Sequence, residues 1–488
     1  MPRFHPMRWR VRRPTIHLKG SRRIVGVGLA LVLLVALLGG CAQVPQPPPP
    51  DAPAQAAEAE APAAQTTLVQ PENPEMTINL VIHPNTKPKG EIVEATGTQS
   101  IQYTKMFPAF LASHPNVALN AEELLGDTEG RTKYMLQCRE GSQPDVTQLD
   151  GFWVAEFAAI GCTVPLEGIV EQELLDDYYD AFKVVYDGKV HALIPGTAFN
   201  SMLWYRTDLL EEAGLDGPPK DWDELKAYAE KLTVKDENGN VVRYGLALSG
   251  ARSELTSVTI LGYYWQGEDV FVTPDNQPAF NNQTSVDVFN LFADMYQGGW
   301  VMPEVINMGY TEVQQAFFAD KAAMMLHGSW LSSGMYNLAP DLEGKVGLAP
   351  NPVYPRTGNR GTNAGGWSFA VTAADEAKVQ TSADLLAILS GSIPEDYIEA
   401  RLQGGDLPTM KSVAGDPRFA ETEWQQIILS ELPFAKTRPA VEIYPDASLE
   451  WSQAFQETLL GQKTAEQALA DAEERALAIA KEKGYVSE

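Results

Sequence analysis

Cysteine is scarce in this chain, with 3 in 488 residues, and histidine nearly so, with 6. Three cysteines are too few for a disulfide scaffold. No CxxC, HExxH or His/Cys cluster at zinc-ligand spacing occurs, which argues against a structural metal. His83, His114, His191 and His327 stand isolated, there is no nucleophile elbow, and no cofactor motif is read. Basic residues are in deficit too: 37 Lys+Arg face 64 Asp+Glu, a net charge of -27. Residues 1–40 hold eight of the bases and none of the acids, leaving -35 on the rest. So acidic a body offers no nucleic-acid or anionic-membrane face.

What is present is length and apolar content, 488 residues at 44% hydrophobic, enough for two or three domains. The one long apolar run, Ile24–Gly40, follows Arg12, Arg13, Lys19, Arg22 and Arg23 and reads as an export signal rather than a lasting membrane span. It ends Leu38-Gly39-Gly40-Cys41, which resembles a bacterial lipobox. That resemblance implies a signal peptide over 1–40 and an acylated Cys41, a stable anchor if two or more chains are attached. An ordinary signal peptide with a chance cysteine is the alternative. Ser21-Arg22-Arg23 leaves Sec or twin-arginine export open. Residues 41–75, rich in Pro, Ala, Gln and Glu, read as a disordered tether, at most on the order of 100 Å long at about 3.1 Å per residue. The folded body is expected from Met76.

Strands and helices then alternate. Thr77–Ile82, Pro144–Leu149 and Lys189–Ile194 read as strands and Trp153–Ile160 as a helix, a pattern for an open, mostly parallel α/β sheet. Asp221 and Glu224 form a capping-box pattern before Trp222, Leu225, Ala229 and Leu232 at helical spacing. Asp236–Asn240 lacks the terminal glutamate of a calcium loop and reads as a hairpin turn. Two helices close the chain, Leu449–Leu460 and one capped by Thr464 with Gln467 that stops at Gly484.

Several segments stand in a telling order. They include Gly141-Ser142-Gln143-Pro144-Asp145-Val146, Asp150 to Trp153 running on to Gly161 and Pro165-Leu166, and Leu203-Trp204-Tyr205-Arg206-Thr207-Asp208-Leu209-Leu210. Ala213-Gly214-Leu215, Pro219 to Leu225, Phe317 to Met324, Gly328-Ser329-Trp330, Lys345 to Pro350, Gly365-Gly366-Trp367 and Arg438-Pro439 follow. The ordered set resembles the extracellular solute-binding proteins of carbohydrate ABC importers, the maltose- and trehalose/maltose-binding family. The resemblance implies an α/β, two-lobed periplasmic-binding-protein-like fold of type II, with a ligand cleft between lobes joined by hinge crossovers. By that analogy lobe one is 76–196 and 331–372, and lobe two is 197–330 and 373–488. It further implies a monomeric binder, not an enzyme, that captures a carbohydrate, expected to be a di- or oligosaccharide, in the interlobe cleft and delivers it to permease subunits. The chain departs from the family pattern at His83–Pro88, at Pro108 inside the first helix, and at Phe199, where many sugar binders carry an acid.

A sugar presents C–H faces that lie on aromatic rings and hydroxyls that must be matched once water leaves. Candidates for stacking are Trp153, Tyr264, Trp265, Trp330 and Trp367; for hydroxyls, Asp150, Asn200, Gln266 and Glu268, with Arg438 donating from the far rim. Gly365 and Gly366 let backbone approach ligand. Each has a plainer reading. Asp150 follows a strand, where open α/β sheets bind ligands, yet also suits a helix N-cap. Trp153 and Trp367 can be packing, Trp330 hinge packing, and Arg438 a salt bridge. Tyr263, Tyr264 and Trp265 cannot all face one core side if extended. Of Trp204 and Tyr205 one is core and the other free to line the cleft. Cys138 and Cys162 are a disulfide or two buried thiols. Besides an importer receptor, an exported carbohydrate-active enzyme, a sensor or adhesin of the same fold, and a receptor for a non-sugar solute remain open. A carboxylate pair 5–10 Å apart in the cleft would favour the enzyme.

Overall fold

The computed structural model describes residues 68–82, 101–125 and 127–487. The export signal at 1–40, Cys41, most of the tether and His83–Pro88 lie outside the described residues. Packed structure begins before the expected Met76. Leu68 rests on the core, and the Gln70 amide both donates to the Leu119 carbonyl (2.9 Å) and accepts from its N–H (3.0 Å). The boundary expected at residue 75 therefore moves N-terminally, because this side chain covers an edge strand as another strand would.

The strands of the described residues are β1 (Met76–Ile82), β2 (Val117–Glu123), β3 (Val146–Asp150), β4 (Lys183–Tyr186), β5 (Lys189–Leu193), β6 (Gly196–Phe199), β7 (Met202–Arg206), β8 (Val234–Lys235), β9 (Val241–Ala247), β10 (Ala322–His327), β11 (Val346–Ala349), β12 (Thr362–Gly365), β13 (Trp367–Val371), β14 (Leu407–Pro408) and β15 (Ala435–Thr437). They form sheets in the orders β2-β1-β3-β13-β5-β4, β11-β7-β10-β9-β8 and β14-β6-β12-β15. The first two carry the lobes, and the small third sheet lies where the chain crosses between them.

The sheets are mixed rather than mostly parallel. β1 runs parallel to β2 and β3, and β9 parallel to β10, but β13 is antiparallel to β3 and β5, and β7 to β10 and β11. Both exceptions arrive from the other lobe, β7 through β6 and β13 through β12, and so enter from the opposite end. β4 and β5 form a hairpin that turns on Asp187-Gly188, both at positive φ (47° and 72°), as a two-residue loop between twisted strands requires.

Strand membership moves the lobe boundaries expected at 331–372 and 373–488. β11 pairs with β7 in the second sheet, and helix Glu376–Leu389 covers β13 and β1 of the first. Lys411 and Ser412 also bond Asp176 and Asp177, on the first lobe. The closing helices Tyr444–Leu459 and Ala465–Glu482 pack on the second lobe's Gln283–Gln297.

Local chemistry sets the helix ends. Asp221 accepts the Glu224 N–H (2.8 Å) and the Glu224 carboxylate accepts the Lys220 N–H (2.9 Å), starting Trp222–Leu232 with its expected four residues buried. Thr464 and Gln467 cap Ala465–Glu482 reciprocally. Asp236 accepts from the N–H groups of Asn238 and Asn240 in the turn between β8 and β9. Pro108 lies inside one continuous helical run, 101–113, directly after the π-turn Gln102–Met106, the kind of local widening that accommodates a residue without an N–H. Cys138 and Cys162 are disulfide-bonded, their Cα atoms 5.5 Å apart.

Candidate functional site

Strand register assembles the site. β13 places Trp367 opposite Asp150, the last residue of β3. In the third sheet β6 sets Phe199 against Ala364, and β15 sets Thr437 against the same Ala364. Arg438, one residue past β15, therefore comes to Gly365, while Asn200, one past β6, falls opposite Asn363 and reaches Gly365 with its side chain. A Cβ on Gly365 would lie 2.9 Å from Arg438 Nη2 and 3.0 Å from Asn200 Oδ1. Gly366 serves a different need from the one expected: its Cβ would lie 2.2 Å from the Gly196 carbonyl, so it permits close packing of two backbones.

Arg438 is the centre of this group, not a donor on its rim. Its side chain is 6% exposed. Nη2 donates to Asp150 Oδ1 at 2.5 Å and Nη1 to Asp150 Oδ2 at 3.1 Å, while Nη1 also meets Glu254 Oε1 at 3.1 Å. The guanidinium carbon lies 4.3 Å from the Phe152 ring centroid. Glu254, the first residue of helix Glu254–Tyr264, also accepts from Tyr444 Oη (3.0 Å) and from Ser448 Oγ.

Burial dominates the protonation of both acids. It pushes Asp150 above the ordinary carboxylate value against the pull of Arg438. It raises Glu254 to about 7, with the Asp150 charge adding to the rise and Arg438 opposing it. Burial would lower Arg438, but the two carboxylates outweigh it and hold the guanidinium charged.

Asn200, across Gly365 from Arg438, belongs to a second cluster. Its Oδ1 accepts from Asn363 Nδ2 (2.9 Å), and its carbonyl accepts from Tyr310 Oη (2.6 Å). The Tyr310 ring meets Trp330 edge-on at 5.1 Å and His327 at 5.0 Å. Burial lowers His327 to about 4, so it is neutral at pH 7. Two half-buried indoles, Trp367 and Trp330, thus flank a run of polar groups formed by Asp150, Arg438, Glu254, Asn200 and Tyr310.

Other sequence candidates lie elsewhere. Trp153 is buried behind Trp367, in edge contact at 6.1 Å. Tyr264, Trp265 and Gln266 are core residues, 0%, 4% and 0% exposed. Tyr264 Oη donates to the Val270 carbonyl (2.6 Å), Trp265 Nε1 to Asn363 (3.3 Å), and Gln266 accepts from Trp222 Nε1 (3.0 Å). The reason is that Glu254–Tyr264 is helical and buried at every residue but Leu255, so its aromatics need no open face. Glu268 accepts from Thr284 Oγ1 (3.2 Å) at the start of the next helix. Of the β7 pair, Trp204 is core and Tyr205 lines a surface hollow of about 260 Å³ with Leu210 and Leu215, apart from the triad.

Glu254 and Tyr310 are the residues of this candidate site that sequence reading missed. The sequence held no signal for Glu254, one more acid in the first turn of a helix.

Chemically, the arrangement offers flat apolar faces beside fixed donors and acceptors. Among the described residues no group of three or more His, Cys, Asp or Glu is placed to hold a metal.

A two-lobed fold whose polar centre is built from both lobes and their crossover strands is that of solute-binding proteins. The family model described as "bacterial extracellular solute-binding protein" matches residues 96–387. The chain belongs to that family. A binding protein of Brucella abortus (strain 2308) is 27% identical over 394 residues, covering 80% of this chain and 92% of the relative. The mannitol-binding protein of Pseudomonas aeruginosa is 22% identical over 419 residues, 81% and 93% of the two chains. Among solved structures, maltose-bound MalE3 of T. maritima superposes with a TM-score of 0.70 at 22% identity, over 83% of this chain and all of that one.

Proposed function

We propose that this chain is the receptor of an ABC importer for a neutral, polyhydroxylated solute, a sugar or sugar alcohol. The observation that carries the reading is the pairing of half-buried Trp367 and Trp330 with the bonded triad Asp150, Arg438 and Glu254 and with Asn200 across Gly365 from Arg438. Indole faces suit C–H surfaces, and the carboxylates, guanidinium and amide suit hydroxyls. Relatives named for mannitol and maltose support that class of ligand. Phe199, fully buried in β6, supplies no acceptor, so hydroxyl recognition rests on Asp150 and Asn200.

The receptor is tethered through an acylated Cys41, acts as a monomer, closes its lobes on the solute and passes it to permease subunits. A hydrolase is disfavoured by the disposition of its acids: Asp150 and Glu254 share one arginine, leaving neither free to attack or to protonate a glycosidic oxygen.

A thermal-shift screen tests this, because a solute bound only by the native state raises the melting temperature. Mono-, di- and oligosaccharides and sugar alcohols are compared with amino acids and peptides. A shift confined to the hydroxylated solutes, recovered intact, is expected. A shift with peptides alone, or hydrolysis of the sugar, overturns the reading.

A further inference from the structure

Beyond β15 the chain runs through residues 438–446 into the helix Tyr444–Leu459. Three charged residues in that stretch, Arg438, Glu442 and Asp446, recur every fourth position, and all three do the same thing. Arg438 joins Asp150 at the end of β3 to Glu254 on the second lobe. Glu442 accepts Tyr186 Oη from β4 on Oε1 (3.1 Å) and Asn276 Nδ2 from the second lobe on Oε2 (2.9 Å). Asp446 faces Arg131 of the first lobe with Oδ1 (3.7 Å) and Lys483 of the second with Oδ2 (2.6 Å). Each carboxylate has one oxygen on each lobe. The outermost bridge is reinforced by Glu156, which takes Arg131 (2.8 Å) from its own lobe and Lys483 (3.4 Å) from the other.

We infer that residues 438–446 are a seam that locks the two lobes together independently of solute. It starts at the third sheet, where the chain crosses between lobes, and runs away from it, so its outer bridges travel furthest when the lobes part. This deepens the proposed function and rests on its premise that the lobes open and close. The seam makes the closed form partly self-supporting, and a bound solute then supplies only the remainder of the closure.

Only the outermost of these bridges is an ion pair open to salt, through Lys483 with its side chain 34% exposed, and it weakens as the screening length falls from about 30 Å at 0.01 M salt to about 3 Å at 1 M; the buried Arg438 bridge and the neutral partners of Glu442 are screened far less. The test uses no solute, so its failure leaves the receptor reading standing, and a blank solute screen leaves the seam standing. Small-angle scattering of the purified, solute-free chain, extrapolated to zero protein concentration, is compared with that of the Glu442→Gln/Asp446→Asn double variant between 0.01 M and 1 M salt. An amide keeps the shape of the carboxylate but has one acceptor where the acid has two: at position 446, where Arg131 and Lys483 only donate, it can serve only one lobe, and at position 442 it exchanges a charged acceptor for a weaker neutral contact to Tyr186.

The radius of gyration of the unaltered chain is expected to rise with salt. The double variant, which keeps the Arg438 and Glu156–Lys483 contacts, is expected to be larger than the unaltered chain at 0.01 M and to change less with salt. An unaltered chain whose radius does not change across the salt series overturns the seam. So does a folded double variant that matches the unaltered chain at every salt concentration. Should the variant not fold by circular dichroism, the salt series on the unaltered chain decides alone.

Discussion

Replacing Arg438 by alanine removes the one cation that Asp150 and Glu254 share and leaves both acids inside the protein. Glu254 is held at about 7 against an ordinary 4.5 even with its arginine, which penalises its charged form by roughly 3 kcal/mol. Without the guanidinium both acids are pushed higher still. Taking one partner from a buried ion pair costs about 3–5 kcal/mol, and that range is expected for Arg438→Ala at pH 7.5.

The sign of the pH dependence follows from proton uptake. The folded variant binds more protons than the unfolded chain wherever the folded acids titrate above the ordinary carboxylate range. Its stability therefore falls as pH rises from that range toward the folded values, and recovers on acidification. Urea unfolding followed by tryptophan fluorescence at pH 5 and pH 7.5 measures this. The loss at pH 5 should be no more than half the loss at pH 7.5, and adding Glu254→Gln should restore part of it at the higher pH. A loss under about 1 kcal/mol at pH 7.5, or an equal loss at both pH values, refutes the account of a buried triad.

Three further outcomes are expected. Trp367→Ala should abolish calorimetric binding of whichever solute shifts the melting temperature, while far-ultraviolet dichroism stays unchanged; retained affinity removes the indole from the site. Gly365→Ala places a methyl 2.9 Å from Arg438 and 3.0 Å from Asn200 and should weaken the same binding at least tenfold, with an unaltered dissociation constant as the contrary result. Cys138→Ala/Cys162→Ala opens a loop with a sequence separation of 24, which loop-closure entropy values at about 3 kcal/mol, read as a lower urea midpoint.

Sequence reading found the elements whose causes are local. β1, β3 and β5 are apolar runs between turn residues, and the capped helices at Trp222 and Ala465 begin where a side chain takes up orphan N–H groups. β2 escaped because Val117–Glu123 lies at a sheet edge, with Asn and Glu on its open side, and reads as loop. The parallel expectation failed because strand direction depends on which lobe the chain arrives from, and no local pattern encodes that.

The site divided in the same way. Asp150, Asn200, Gly365, Trp367 and Arg438 come together because each flanks or ends a short strand that register then aligns. Tyr264, Trp265 and Gln266 misled because polar and aromatic side chains in a helix buried on all sides look like a binding face. Glu254 gave no signal, being one more acid in the first turn of a helix, where acids are ordinarily favoured.

The position of β13 governs the order in which this protein can be made. It fills the middle of the first sheet, between β3 and β5, yet it is encoded after the whole stretch 194–366. At roughly 5–20 residues per second a ribosome needs about ten to thirty-five seconds to bridge that stretch. During that interval β3 and β5 each present an unpaired edge, which is a template for aggregation. The N-terminal third of the molecule is thus not a domain that matures as it emerges. Truncations ending before residue 371 should yield insoluble protein, and a nascent chain is safest when kept unfolded until nearly all of it has been synthesised.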